Sequence, residues 1–345
     1  MKKINIYFHG RCFDGVLSAS FFTMFYKDRF ENVEFSYYPM IHKPGFNFDS
    51  LMQGENIENI VLDLPYPGSE KVSWWFDHHQ SSFKSNEIRK EYEKNNNNKN
   101  LYWDPKAYSN TNFMVKILQN KFDFKIPQNQ QKMLEWADII DGARFDSSDI
   151  PSELMETAPA FAALLEYDDT PDLEQKLIEE ISDGKNCEDL SKEVFWSRKL
   201  NKIRQKNWDM IEDVKKLISV TNEVAFIDLR SLSVSGYNKF IPYYLKPQIH
   251  YAVTLLELPQ KVKISVSANP WSDFARSSEG ADIGSLCERY GGGGHYSVGA
   301  VSFKPDTDEN KINDTVSEIL KVLSDNVIKK HDSVKSSLLD QGKLE

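Results

Sequence analysis

INIYFHGRCFDGVLSA, residues 4–19, decides the fold class. INIYF is short, apolar and aromatic, which predicts a buried strand. It runs straight into His9 and a glycine. Residues 14–30 then carry apolar side chains at 17, 21, 24 and 25, the stripe of a helix. A strand feeding a helix is the first half of a parallel crossover. VEFSYY at 33–38, NIVLDL at 59–64 and VSWWF at 72–76 repeat the strand signal. Strands that alternate with helices or long connections imply an α/β fold with a mostly parallel sheet.

The polar residues fall at the ends of these strands. His9 follows the first, Asp63 ends the third, and Asp77, His78 and His79 follow the fourth. In a parallel sheet those ends share one edge, where open α/β folds place their ligands. Aspartate and histidine are ligands for Mn²⁺, Mg²⁺, Zn²⁺ or Fe²⁺, and a carboxylate-rich set favours the harder ions. Two ions about 3.5–4 Å apart, sharing a carboxylate, can activate water and hold both oxygens of an in-line phosphoryl displacement. Asp63 lies between the other two clusters and suits the shared position. Each residue alone has a plainer reading. A histidine after a strand is commonly a surface residue, and an Asp before Leu-Pro can begin a turn. The joint pattern carries the inference, because three strand-like runs deliver Asp or His to one edge.

At 345 residues the chain is long for one core and predicts two domains. Helical patterns follow at 108–121, 128–142, 158–167 and 171–182, and a charged helix pattern at 189–219 reads as a connector. Strand patterns return at 223–229, 249–257 and 261–268. The expected division is 1–185 for the domain bearing the acidic and histidine clusters, 186–221 for a helical connector, 222–325 for a smaller α/β domain, and 326–345 for a charged tail that frays. KNNNNKN at 94–100 is a polar low-complexity loop.

Composition excludes several classes. Net charge is −10 and the pI about 5.3, which argues against a sequence-blind grip on long duplex DNA. Cys12, Cys187 and Cys287 are odd in number and far apart, so a reducing cytosol is expected. The N-terminus reads as a strand and not a signal peptide, and no run approaches the roughly 20 apolar residues of a membrane span.

Five motifs in order, HGRCFDGVLSA, VLDLPYP, FDHHQSS, WADIIDGARF and GGGGHYSVGA, resemble the DHH phosphoesterase superfamily with its DHH-associated C-terminal domain. The likeness covers most of residues 4–303 and is nearest in kind to the nanoRNase and RecJ-like branch. It implies two metal ions, usually Mn²⁺. By that resemblance His9 and Asp63 hold one ion. Asp14, Asp63, His78 and an Asp of the 137–146 segment hold the other. His79 faces the scissile phosphate, and Asp77 orients a neighbour. WADIIDGARFD offers Asp138, Asp141 and Asp146. Asp141, followed by Gly142-Ala143-Arg144-Phe145, fits the family pattern better, with Asp138 second. The family often has Asp-x-Asp where this chain has Cys12-Phe13-Asp14. Cys12 is open between a ligand, which would favour softer ions such as Zn²⁺, and a small packing residue.

Four glycines before His295 allow close backbone approach or a positive φ. A flexible loop is the ordinary reading. The resemblance implies instead that Arg276, Gly292, Gly293, Gly294 and His295 bind the phosphate or sugar of a nucleotide. Arg289 competes with Arg276 but lies in a helical pattern. Arg198, Lys199, Lys202, Arg204 and Lys206 on the connector read as a solvated helix face rather than a nucleic-acid track.

These readings combine into a cytosolic, Mn²⁺-dependent phosphodiesterase. It would hydrolyse short single-stranded RNA or linear dinucleotides to nucleoside monophosphates, with no long duplex DNA and no membrane as partner. A homodimer is open. The rivals are a phosphomonoesterase on 3′-phosphoadenosine 5′-phosphate, a pyrophosphate or polyphosphate hydrolase, and a nucleotide-binding module without turnover.

Overall fold

The computed structural model describes residues 2–41, 52, 56–95, 100–232, 234 and 236–340. They form two compact units, one of Met1–Phe145 with Met155–Ile203 and one of Asp146–Leu154 with Arg204–Glu345.

The first unit opens β1 (Lys2–His9), α1 (Phe13–Lys27), β2 (Val33–Met40), β3 (Ile57–Leu62), β4 (Val72–Asp77), α2 (Asn86–Asn95), β5 (Asn100–Trp103), α3 (Asn110–Phe122) and α4 (Gln131–Asp141). The five strands are ordered β2-β1-β3-β4-β5 and every pairing is parallel. All their carboxyl ends therefore lie on one edge, as expected from the alternation. Ile4, Ile6, Tyr7 and Phe8 are all buried, so β1 is covered on both faces, the usual state of a parallel strand. Helix α1 is buried along nearly its whole length and packs against α3 and against a later helix of the same unit. Its Gly15 is required by close approach, since a Cβ there would stand 2.1 Å from the carbonyl oxygen of His9. β5 and α2 had no expectation in the sequence, and residues 96–99 of the polar stretch lie outside the described residues.

The chain continues with α5 (Asp149–Glu153), α6 (Thr157–Tyr167), α7 (Leu173–Ser182), α8 (Cys187–Lys192) and α9 (Val194–Leu217). The expected connector is thus α8 and α9, and the boundary between units falls inside α9. Trp196 and Leu200 are buried in its first half, while Ile211 and Val214 join a core of the second unit.

The second unit adds β6 (Ser219–Thr221), β7 (Val224–Asp228), α10 (Ile241–Leu245), β8 (Tyr251–Leu258), β9 (Lys261–Ala268), α11 (Asp273–Arg276), α12 (Ile283–Glu288), β10 (Gly293–His295), β11 (Val298–Phe303) and α13 (Glu309–Asp340). Its sheet is mixed, ordered β10-β11-β9-β8-β7-β6, with only β7 and β8 parallel. β8 is buried on both faces. Tyr251, Val253 and Leu255 face one core with α12 and α13, while Ala252 and Leu256 face another with α9 and α10. Ile312, Val316, Ile319, Leu323 and Val327 of α13 form one apolar stripe on the first of these cores. That stripe carries the helix past residue 326, where a fraying tail was expected. Residues 341–345 lie outside the described residues.

Candidate metal centre

Asp63 is the residue around which the carboxyl edge of the first sheet is organised. It follows β3, is buried, and holds a left-handed backbone at φ 57°. Such a conformation is uncommon outside glycine, although Asp tolerates it better than most residues. Its N–H donates to the Phe76 carbonyl at 2.9 Å, which ties the turn to β4. Its carboxylate then meets imidazoles from both neighbouring strands. Oδ2 is 3.3 Å from His9 Nδ1, at the end of β1. Oδ1 is 3.5 Å from His78 Nε2 and 3.7 Å from His79 Nδ1, just after β4.

His78 is oriented from outside the cluster. Its Nδ1–H donates to the Ala107 carbonyl at 3.1 Å, which leaves Nε2 toward the acids. Nε2 is 3.3 Å from Asp141 Oδ2 and 3.8 Å from Asp14 Oδ2. A backbone carbonyl on the remote nitrogen is what metal-binding histidines commonly use. Asp14 is anchored by the first turn of α3, whose Asn110 and Thr111 amides donate to its two oxygens at 2.7 and 2.9 Å.

Asp77 plays a different part. It is fully buried at the end of β4 and accepts from the backbone amides of His78 and His79, from the Ser82 hydroxyl, and from His79 Nδ1 at 2.7 Å. It holds the His79 ring through Nδ1. Sequence reasoning missed Ser82, Ala107, Asn110 and Thr111. Two of them act through hydroxyl or carbonyl groups with no ligand signature, and two through backbone amides that carry no sequence signal.

Asp138 and Asp141 separate clearly. Asp138 is taken up by α3, accepting from Ser109 Oγ and Asn112 Nδ2, both at 2.6 Å. Asp141 turns to His78 and keeps solvent access, its side chain 27% exposed. Asp146 belongs to the second unit.

The protonation pattern is that of crowded acids. Burial, then the charges of Asp63 and Asp141, pushes the Asp14 carboxyl up to about 8. Burial and Asp63 raise Asp141 to about 6. Burial opposes the charged form of His78, but Asp63, Asp14 and Asp141 outweigh it and push the imidazole up to about 10. His79 is likewise raised, against burial, by Asp77 and Asp63, to about 9. Burial would raise Asp63, yet the surrounding histidines hold it well below the usual carboxylate range. Burial, with Asp63, Asp141 and Asp14 nearby, pushes the Cys12 thiol far up.

Divalent ions fit this donor set. Ligand atoms within 4.8 Å of one another occur in His9, Cys12 and Asp63, in Asp63, His78 and His79, and in Asp14, His78 and Asp141. Asp63 and His78 are each shared by two groups. Asp63 Oδ1 and His78 Nε2 are both buried and neither makes a hydrogen bond, a costly state for polar atoms unless a further partner binds them. Oxygen and imidazole donors with one thiol suit hard or borderline cations.

The expected substrate residues lie in the second unit. Arg276 ends α11, is exposed, and donates through Nη1 to the Pro270 carbonyl at 3.0 Å. Gly293, Gly294 and His295 form β10, with His295 exposed. Part of the glycine run serves the hairpin itself. A Cβ on Gly292 would stand 2.1 Å from the Ala300 carbonyl oxygen, and one on Gly294 2.2 Å from that of Val298. Gly293 alone faces open space without a positive φ. Arg289 caps the end of α12. On α9, Lys199 pairs with Asp168 at 3.0 Å and Arg204 donates to the Leu154 carbonyl at 2.8 Å, while Arg198, Lys202 and Lys206 are exposed.

No protein-family model matches the chain, and no curated protein matches it. Solved structures do. The chain is similar to a pGpG-specific phosphodiesterase from Vibrio cholerae at 18% identity and a TM-score of 0.66, over 95% of this chain and 99% of that one. It is similar to an exopolyphosphatase-related protein from Bacteroides fragilis at 15% identity and a TM-score of 0.53, over 94% and 93%. At these identities the likeness is one of fold, and it spans both units.

Proposed function

We propose that the chain is a metal-dependent phosphodiesterase that hydrolyses linear dinucleotides or short oligoribonucleotides to nucleoside monophosphates, with Mn²⁺ as its preferred ion. The observation that carries this reading is the shared position of Asp63. Its carboxylate stands between His9 on one side and His78 on the other, and two ligand atoms of the cluster are buried without hydrogen bonds. His9 and Asp63, with Cys12 in reach, would hold one ion. Asp14, Asp63, His78 and Asp141 would hold the other. When bound, the ions supply Lewis acidity for water activation and for charge developing on phosphorus oxygens.

The protein's own groups do the rest. The Ala107 carbonyl and the α3 amides fix His78 and Asp14 so that little reorganisation accompanies binding. Asp77 holds His79 by Nδ1, which leaves Nε2 to hydrogen-bond a non-bridging oxygen of the scissile phosphate. Arg276, Gly293 and His295 keep their proposed role of holding a phosphate or sugar. The cysteine chemistry argued above favours the cytosol, and no helix among the described residues is long and apolar enough to cross a membrane.

A phosphodiester substrate is preferred because the fold also carries a phosphodiesterase in the Vibrio protein. The Bacteroides protein keeps polyphosphate as the second reading. Turnover of a labelled linear dinucleotide, pyrophosphate, polyphosphate and 3′-phosphoadenosine 5′-phosphate, with Mn²⁺ and after metal stripping, tests the proposal. Metal-dependent release of mononucleotide from the dinucleotide alone is expected. Turnover confined to pyrophosphate or polyphosphate overturns it in favour of the second reading.

A further inference from the structure

Beside the acidic cluster stands an arginine that no acid among the described residues pairs with. The Arg144 guanidinium lies over the Tyr108 ring, 3.9 Å from its centroid. Both residues are exposed, Tyr108 at 52%. Among the described residues the guanidinium makes no hydrogen bond and no ion pair. Arg11, on the same sheet edge, is by contrast tied to Asp169, and Arg230 to Asp228 and Glu309.

The pair is fixed to the two segments that frame the candidate metal centre. Tyr108 sits between Ala107, whose carbonyl accepts from His78, and Ser109, which donates to Asp138. Arg144 follows Asp141 by three residues, and its backbone N–H closes the end of α4 on the Ile139 carbonyl at 2.8 Å. Its aliphatic stem folds back over Gly142. A Cβ there would stand 3.0 Å from Arg144 Cδ. Stem and head are therefore both seated before any ligand arrives. The exposed guanidinium, held over the ring, keeps its N–H groups unclaimed among the described residues, and those groups form the fork that grips phosphate by two parallel hydrogen bonds.

We propose that Arg144, seated on Tyr108, binds a second phosphate of the substrate, one that is not cleaved. This rests on the phosphodiesterase reading above. A dinucleotide with a terminal phosphate brings two anionic groups to an acidic protein. One is met by the metal-holding cluster. The other needs a cation close by, and Arg144 offers one at the cluster's rim. Tyr108 is a positioning residue that keeps the fork in place and shields one face of it from water.

The test uses the full chain and four substrate–protein pairs. A fluorescent, hydrolysis-resistant dinucleotide with and without a 5′-phosphate is titrated by anisotropy, in the presence of Mn²⁺, into wild type and Arg144→Ala. Wild type should bind the phosphorylated form at least about tenfold more tightly, the scale of a charge-assisted hydrogen-bond pair. Arg144→Ala should lose that preference while binding the unphosphorylated form as wild type does. Tyr108→Ala should lose part of it, and Arg144→Lys should retain only part, since it keeps the charge but not the fork. An undiminished preference in Arg144→Ala, or no preference in wild type, overturns the proposal. Turnover of the cleavable dinucleotide by wild type tests the phosphodiesterase reading separately, so either idea can fail while the other stands.

Discussion

His79 Nδ1 lies 2.7 Å from Asp77 Oδ1, and the buried Asp77 carboxylate meets its hydrogen-bond partners in the turn that follows β4. This pairing converts a flexible imidazole into a ring of fixed orientation. The carboxylate spends its remaining capacity on the amides of His78 and His79 and on Ser82. It therefore sets the turn and the ring together.

Asp77→Asn should lower kcat by about 10- to 100-fold with KM and Mn²⁺ stoichiometry nearly unchanged, because the group acts through its neighbour. His79→Ala should lower kcat at least as far. The double variant should be no worse than His79→Ala alone, which is what one shared pathway requires. Steady-state kinetics with metal counting check this. Losses that multiply would mean that Asp77 acts independently of His79.

Metal should stabilise the fold. Ions that bind only the native cluster add about 2.7 kcal/mol at a concentration one hundred times Kd. Mn²⁺ should thus raise Tm and a chelator should lower it. Asp63→Ala should abolish the rise, since Asp63 belongs to two of the three groups of potential ligand atoms among the described residues. Scanning calorimetry with and without Mn²⁺ gives the answer, and a full rise in Asp63→Ala would remove that residue from the shared position.

Metal affinity should climb with pH. Before metal binds, Asp14 titrates near 8 and His78 near 10, both above their ordinary values, so at neutral pH both carry protons. A raised pKa makes the proton the stronger competitor, and lowering pH strengthens that competition. Affinity for Mn²⁺ should fall from about pH 8 to about pH 6, with protons released on binding at pH 7. Calorimetric titration in two buffers of different ionisation enthalpy measures the release. Buffer-independent heats would contradict the protonation pattern.

Much of this site was legible in the chain because it is written along strand ends. His9, Asp63 and His78 each close or follow an apolar run, and parallel pairing alone brings such positions to one edge. What was not legible came from neighbours distant in sequence. Asp138 and Asp141 share a helix face, and their difference is made by Ser109, which caps α3, and by Asn112 within it, which hold only the former. The extent of α13 was not legible because a charged amphipathic helix and a fraying end have similar composition. The stripe ending at Val327 has meaning only once the sheet beneath it is known.

The glycine run separates into two kinds of position. Gly292→Ala and Gly294→Ala force a Cβ against backbone carbonyls and should cost roughly 1–3 kcal/mol, as overpacking does. Gly293→Ala meets open space and should leave Tm unchanged. If Gly293 serves a ligand, its variant should still raise KM. Urea denaturation and kinetics on the same three proteins make the comparison. A destabilised Gly293→Ala would reduce the whole run to hairpin geometry.

Cys12 gives the sharpest chemical test. Its thiol belongs to a group of ligand atoms with His9 and Asp63, all within 4.8 Å of one another. Burial and the surrounding carboxylates hold the thiol protonated until a cation arrives. Cys12→Ser should therefore weaken Zn²⁺ far more than Mn²⁺, since an alkoxide forms much less readily than a thiolate and only the softer ion gains from sulfur. Cys12→Asp should lean further toward Mn²⁺ and keep activity. In the absence of metal it should also lower Tm, because a fourth carboxylate joins Asp14, Asp63 and Asp141 in a buried site, and Mn²⁺ should restore the loss. Metal-dependent activity and melting of both variants, each with Zn²⁺ and with Mn²⁺, decide the matter. Unchanged metal preference in Cys12→Ser would make the thiol a packing group. A folded but inactive Cys12→Asp would mean that a carboxylate at this position disrupts the site, and that His9 and Asp63 would hold an ion in a way that admits no second carboxylate beside Asp63.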